Sequence, residues 1–462
     1  MSALKCITLL SLILAMACGD DSTLPIADVG SFDAGSSDGG PDVDTFDGGT
    51  DAGPSGIRGG ELSFTPIYAA GEANDRNAGE MRPWIPVDLD EGTDGELWVI
   101  HRMDRETEFT DAEECTERGI STRPSDDDNC FGLQGGTASI ANPSAPEMAT
   151  VANNRVNFVV DQNSFHFMRR PSAIAFGMAE DTLEPGDPGT LDMEGRPLIT
   201  ETQILPHIFA TCAEHATGNL TDAPPFIGPS LWTGDREIYV DGEVPYSWSN
   251  GTHLDMVHGT QYCMGMAWEQ DQIFWVLNGS VGSIDRYDFG KPHSPGHFYH
   301  EDAIVSRYLP PRGELGRVVD VPSNLEIDGD TLFIADTLNA RIVTLSLTED
   351  IASTRLWRTY ENIEGDIIDN PTLTDLVTSA ELLAEWGADA QPSGLATVDA
   401  DTLVIGDHNS GQISIIDRTT GEIVRTVDTG LGAGLAGITA MQGSVYFAHM
   451  TTRQVYRIDI AE

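Results

Sequence analysis

Positive charge is scarce in this chain. Its 462 residues carry 25 Lys plus Arg against 74 Asp plus Glu, a formal net charge of −49. Nucleic acid is thereby excluded as a partner, because binding phosphates needs a concentrated basic surface and no block of Lys or Arg occurs. An anionic membrane surface repels such a chain too. The one extended apolar run, Ile7 to Ala17, is shorter than the roughly 20 residues of a mature membrane-spanning helix. Nucleophile signatures are missing as well: there is no G-x-S-x-G elbow, no P-loop and no C-x-x-C-H haem attachment. The single G-x-G-x-x-G, at Gly432, Gly434 and Gly437, leads into the strand-like GITAM, so no helix N-terminus follows to hold a pyrophosphate. What is present is 40% hydrophobic residues and 48 Gly, enough for a sizeable core in a turn-rich, all-β chain.

Residues 1–18 pair a short n-region carrying Lys5 with the apolar run, the pattern of a secretory signal. The run ends Leu14, Ala15, Met16, Ala17, Cys18, which resembles the lipobox of bacterial lipoproteins. That resemblance implies that Cys18 receives the lipid and becomes the mature N-terminus. The protein is then anchored at the cell envelope, on the outer membrane or cell surface, and meets the membrane only through its lipid. Cleavage after the small residues Ala15 and Ala17, giving a free secreted protein, is the alternative. Residues 19–60 read as a disordered acidic linker: from Gly19 to Ser55 there is no Lys or Arg and almost no large apolar residue to bury. Asp42, Asp44 and Asp47 have a calcium-like spacing but lack the remaining ligands and closing Glu of an EF-hand loop.

The folded body, 61–462, repeats internally. LEIDGDTLFIADTLNARIVTLSL from Leu325, LATVDADTLVIGDHNSGQISIID from Leu395 and ITAMQGSVYFAHMTTRQVYRIDI from Ile438 each read as strand, tight turn, second strand, turn, third strand. The second strands end at Asp336, Asp407 and His449, each six residues before Ile342, Ile413 and Val455, and Asn278 to Ile284 repeats the step. The pattern PSNLEIDGDTLFIADTLNARIV, with PSGLATVDADTLVIGDHNSGQI, resembles the NHL repeat. That family implies radial four-stranded antiparallel blades, a β-propeller.

Six blades are expected, with GELWVIHR, HIFATC, QIFWVLN, TLFIAD, TLVIGD and SVYFAH as their second strands. Blade two is completed by REIYV, blade four by TRLWRTY, and the last blade, one strand short, by ELSFTPIYA from the start of the body, which removes exposed edges. Seven blades are the alternative if the insertion from Arg105 to Pro146, which reads as loop, holds another. DNPTLTDLVTSAELLAEWG has helical periodicity and reads as a decorating helix.

Setting aside Cys6 and Cys18 leaves four cysteines, an even number in an exported chain. Cys115 with Cys130 staples the first insertion, and Cys212 with Cys263 joins blades two and three, whose corresponding loops emerge on one face. A zinc site made of all four is the rival, without any C-x-x-C to support it.

The same topology gathers histidines on one face around the channel. Ends of second strands supply His101, His408 and His449, and the connection GTHLDMVHGTQYC supplies His253 and His258. Imidazoles from several blades suit zinc or copper, with calcium the oxygen-ligand candidate, and some NHL-type propellers hold a channel metal in this way. Capping of turns by these residues, as the NHL aspartate does, is the structural alternative. A second cluster, His293, His297 and His300 in KPHSPGHFYHED, falls on the opposite face; it reads as a solvated loop, with a transition-metal site of its own as the alternative. Two functions follow. One is a lipid-anchored scaffold binding a protein or small-molecule ligand at its channel face; the other is a metal-dependent lyase or hydrolase with a His-lined site.

Overall fold

The computed structural model describes residues 56–70, 84–103, 135–161, 168–216, 227–239, 251–349 and 351–460. Cys18, Cys115 and Cys130 lie outside the described residues, as does the segment read as signal. Ile57, among the first described residues, is buried between blades five and six.

Six sheets form the six blades of a propeller, antiparallel apart from one parallel pairing in blade three. Their second strands, such as Ile273–Asn278, Thr331–Asp336 and Thr402–Asp407, are buried on both faces because each blade is packed between two others. That two-sided burial is why they read as continuous apolar runs instead of alternating ones. Outer strands meet solvent and are more polar, as in Ile423–Asp428. The innermost strands approach so closely that side chains are excluded at three of their positions. A Cβ on Gly265 would lie 2.0 Å from Ser323 O in blade four, one on Gly394 2.1 Å from Ala436 O in blade six, and one on Gly437 2.1 Å from Asp88 in blade one. Gly437 of the G-x-G-x-x-G match thus serves ring closure.

Closure takes the expected form. Leu62–Ala69 pairs antiparallel with Gln454–Ile460, from Leu62↔Ile460 to Ala69↔Gln454, as the outer strand of blade six. Blades three, five and six keep their expected strands. The disulfide Cys212–Cys263 is formed, with Cα atoms 5.8 Å apart, and ties blade two to blade three.

Four assignments change. Blade one takes its third strand, Gly135–Ile140, from inside the insertion read as loop, and Val156–Val159 becomes its fourth. Blade two is completed by the two-residue strand Asp255–Met256, whereas REIYV lies in a turn through Tyr239. Blade four is completed by Leu373–Val377, the first part of the segment read as helix. The helix itself is only Ser379–Trp386, started by a capping box in which Thr378 and Glu381 bond each other's backbone amides. The displaced Arg355–Arg358 pairs with Glu364–Asp369 and extends blade three to six strands. An added hairpin, Glu180–Leu183 with Gln203–Pro206, decorates blade two.

Candidate metal centre

The two-residue strand Asp255–Met256 decides where the histidines go. Because it crosses blade two from one face to the other, His253 precedes it on the face opposite the ends of the second strands. The loop between the third and fourth strands of blade three, Ser283–Asp288 and Ile304–Leu309, emerges on that same face. Two backbone bonds join them: His293 N–H donates to Leu254 O at 2.8 Å and Gly296 N–H to His253 O at 2.9 Å. Gly189 lets a neighbouring turn close over the loop, since a Cβ there would sit 2.5 Å from that of His293. The loop expected to be solvated is therefore packed, with His293 1% and His297 3% exposed.

His253, His293 and His300 converge. One ring nitrogen from each lies within 4.8 Å of the others, the only such grouping of three His, Cys, Asp or Glu among the described residues. Their hydrogen bonds set the tautomers. His293 Nδ1–H donates to Ser294 O at 2.8 Å, which leaves the Nε2 lone pair, and that atom is buried without a hydrogen-bond partner. His300 Nδ1–H donates to Asp255 Oδ1 at 2.7 Å, leaving its Nε2 lone pair in the same way. This is the carboxylate–histidine arrangement that orients metal-binding imidazoles. Burial, then the neighbouring His253 and His300, holds His293 well below the usual imidazole range, so it stays neutral and able to donate a lone pair. Burial also pushes the Asp255 carboxyl up to about 6 against the pull of His300, and its Oδ2 has no hydrogen-bond partner. His297 is different. Its Nε2–H donates to Leu191 O at 2.9 Å and its Nδ1 accepts from Tyr299 N–H at 3.0 Å, so no lone pair remains.

The residues fit a transition ion. Three imidazole nitrogens, two of them on rings oriented by outer hydrogen bonds, suit zinc or copper and not calcium, which takes six to eight oxygens. Around a tetrahedral zinc their separation contracts to about 3.4 Å.

The other expected ligands are placed apart. His449 is spent on its own turn: Nε2–H donates to Gly432 O at 3.1 Å and Nδ1 accepts from Thr452 N–H at 3.2 Å. His408 Nδ1–H donates to Leu435 O at 2.8 Å. His101 is fully buried against the rings of Tyr68 and Phe158, and burial pushes its pKa down to about 3. His258 pairs through Nδ1 with Glu361, in the turn between the two strands added to blade three. Asp336 and Asp407 cap turns, accepting from Asn339 and Arg341 and from Gln391 and Ser410 respectively. The channel rim instead carries an ion cluster that sequence reasoning missed. Fully buried Glu214 accepts from Arg102 at 3.1 Å, Arg317 at 2.9 Å and the Asp320 amide at 2.9 Å, which stitches blades one and two to the entry of blade four. The readable signal for this grouping was the density of histidine itself, three in KPHSPGHFYHED and two in GTHLDMVHGTQYC.

No family model and no curated protein matches this chain. Among solved structures it is similar to a streptogramin B lyase, at 11% identity and a TM-score of 0.41, over 87% of this chain and 98% of that one. It is similar to virginiamycin B lyase from Staphylococcus aureus at 9% identity and a TM-score of 0.41, over 87% and 100% of the two chains. A glutaminyl cyclase from Myxococcus xanthus gives 12% and 0.27, over 51% and 88%. At such identities the likeness concerns the fold alone.

Proposed function

We propose that this protein is an exported propeller, lipid-anchored at the cell envelope through Cys18, that binds one zinc or copper ion through His253, His293 and His300. The observation that carries the reading is the convergence of three imidazole nitrogens from two blades, with Nε2 of His293 buried and unpartnered. The ion joins the outer edge of blade two to blade three. The rigid propeller is then a binding scaffold, carried on an acidic tether, for a protein or small-molecule ligand. A catalytic reading, metal-dependent hydrolase or lyase, is favoured by one feature: three protein ligands leave a coordination position open, as in catalytic zinc sites. Chelation-sensitive turnover separates the two.

The test is elemental analysis of the full chain purified without chelator, beside His293→Ala and Cys18→Ser. The expected result is one equivalent of zinc or copper, lost in H293A, and release of C18S from the membrane fraction. Absence of metal together with no uptake on titration removes the metal reading, and unchanged membrane association of C18S removes the anchor.

A further inference from the structure

On the same face as the three histidines, but on the propeller axis, the channel widens into a cavity of about 180 Å³. All six innermost strands contribute to it. Its charged groups are Asp88 and Asp90, on one side of the strand Trp84–Glu91, and Glu326 from Leu325–Asp328; no Lys or Arg lines it. Beside them is Asn324, 5% exposed. Its Nδ2 donates to Asp88 Oδ1 at 2.6 Å, and its Oδ1 is buried with no hydrogen-bond partner. A buried amide oxygen without a donor is costly, and here it belongs to a side chain that borders the cavity and is bonded to one of its acids.

We propose that this cavity receives a primary alkylammonium group. Three observations select it over a metal ion. First, the acids are held apart by donors of other blades: Asp88 Oδ2 accepts from Ile174 N–H at 3.0 Å, Asp90 Oδ2 from Phe176 N–H at 2.7 Å, and Glu326 Oε1 from Thr397 Oγ1–H at 2.7 Å. Second, their oxygens form no group within 4.8 Å, whereas a hard cation requires several oxygens at about 2.3–2.6 Å, which collapse could supply only by breaking those bonds. An ammonium is held by longer contacts of about 2.8–3.0 Å that leave those bonds in place, and Asn324, whose Oδ1 has no donor, borders the space. Third, the space is several times the roughly 30 Å³ of one water, and Ile174, Phe176 and Ile327 supply apolar wall for a methylene stem. Trp268 is 36% exposed and its Nε1–H is already bonded to Asp271 O, so its ring is available to a cation.

Burial holds the acids partly protonated, with Asp88 raised to about 8, Glu326 to about 7 and Asp90 to about 6. Glu91 adds to the rise of Asp90, and Arg418 opposes that of Glu326. Entry of a cation favours the ionised acids and releases one proton, so affinity climbs between pH 6 and pH 8.

The test is calorimetric titration of the full chain, stripped of transition metal so that the histidine site does not contribute, with n-butylamine, a lysine-containing tripeptide and calcium chloride. The expected result is one amine site, weakened roughly tenfold from pH 8 to pH 6 by a single linked proton. A similar loss is expected in Glu326→Gln and Asn324→Ala, with folding checked by circular dichroism. Tighter binding of the tripeptide identifies a protein side chain as the natural ligand, and tighter binding of butylamine a free amine. Binding of calcium without amine, no amine binding, or amine binding unchanged in both variants overturns the proposal.

Discussion

His293 and His297 sit four residues apart in one loop, are almost equally buried, and have opposite chemistry. The difference is one hydrogen bond. His297 both donates and accepts within the protein, whereas His293 donates once and keeps a lone pair. Two expectations follow at this scale. His297→Ala retains one equivalent of metal by elemental analysis while lowering the unfolding temperature, because it breaks structural bonds only. Asp255→Asn keeps the fold but weakens metal affinity roughly 10–100-fold in competition with a chromophoric chelator, since it loosens the tautomer and orientation of His300. The sequence announces a cluster of imidazoles here. Which of them has a free nitrogen depends on backbone carbonyls such as Leu191 O, about a hundred residues away, and no local pattern encodes that.

Elements explain why the histidines do not share one face. A strand of two residues, Asp255–Met256, has too little periodicity to be seen, yet its pairing with Ser230 and Leu231 carries the chain across the blade and sends His253 to the face opposite His101 and His449. REIYV, with stronger strand propensity, loses to it because tertiary pairing outweighs local preference. Where elements are long and repeated, sequence reading succeeds: the closing strand Leu62–Ala69 was legible because blade six lacked a partner and the body began with one spare strand. Removing residues 19–70 should expose the edge of Gln454–Ile460 and convert a monodisperse protein into an aggregating one, measured by size-exclusion chromatography. Cys212→Ala with Cys263→Ala should cost about 4 kcal/mol in chemical denaturation, the chain-entropy value for a loop closed over 51 residues.

At the scale of the molecule, buried ionisable groups set the pH range of stability. Burial raises Asp88 to about 8 and Glu326 to about 7, so the native state binds more protons than the unfolded one from about pH 4 upward. Stability from these groups is complete below the unfolded pKa and is lost as pH rises through the folded values. Burial lowers His101, His293, His408 and His449, so their contribution is lost as pH falls below about 6.5. Above that point the acids alone act. The unfolding temperature should therefore fall from pH 6.5 to pH 8.5 by differential scanning calorimetry, and Glu326→Gln should flatten the fall.

By itself the amino-acid sequence determined a repeat of short antiparallel strands, because second strands buried on both sides must be continuous apolar runs and their polar ends recur at one spacing; the radial arrangement came only with the resemblance to the NHL repeat. It also determined that blade six borrows a strand from the far end of the chain, since strands must pair to satisfy their backbone. Only the tertiary structure decided which histidines meet and which acids share the channel. Those groupings rest on long-range hydrogen bonds, such as His293 to Leu254 and Asn324 to Asp88, that leave no period in the chain.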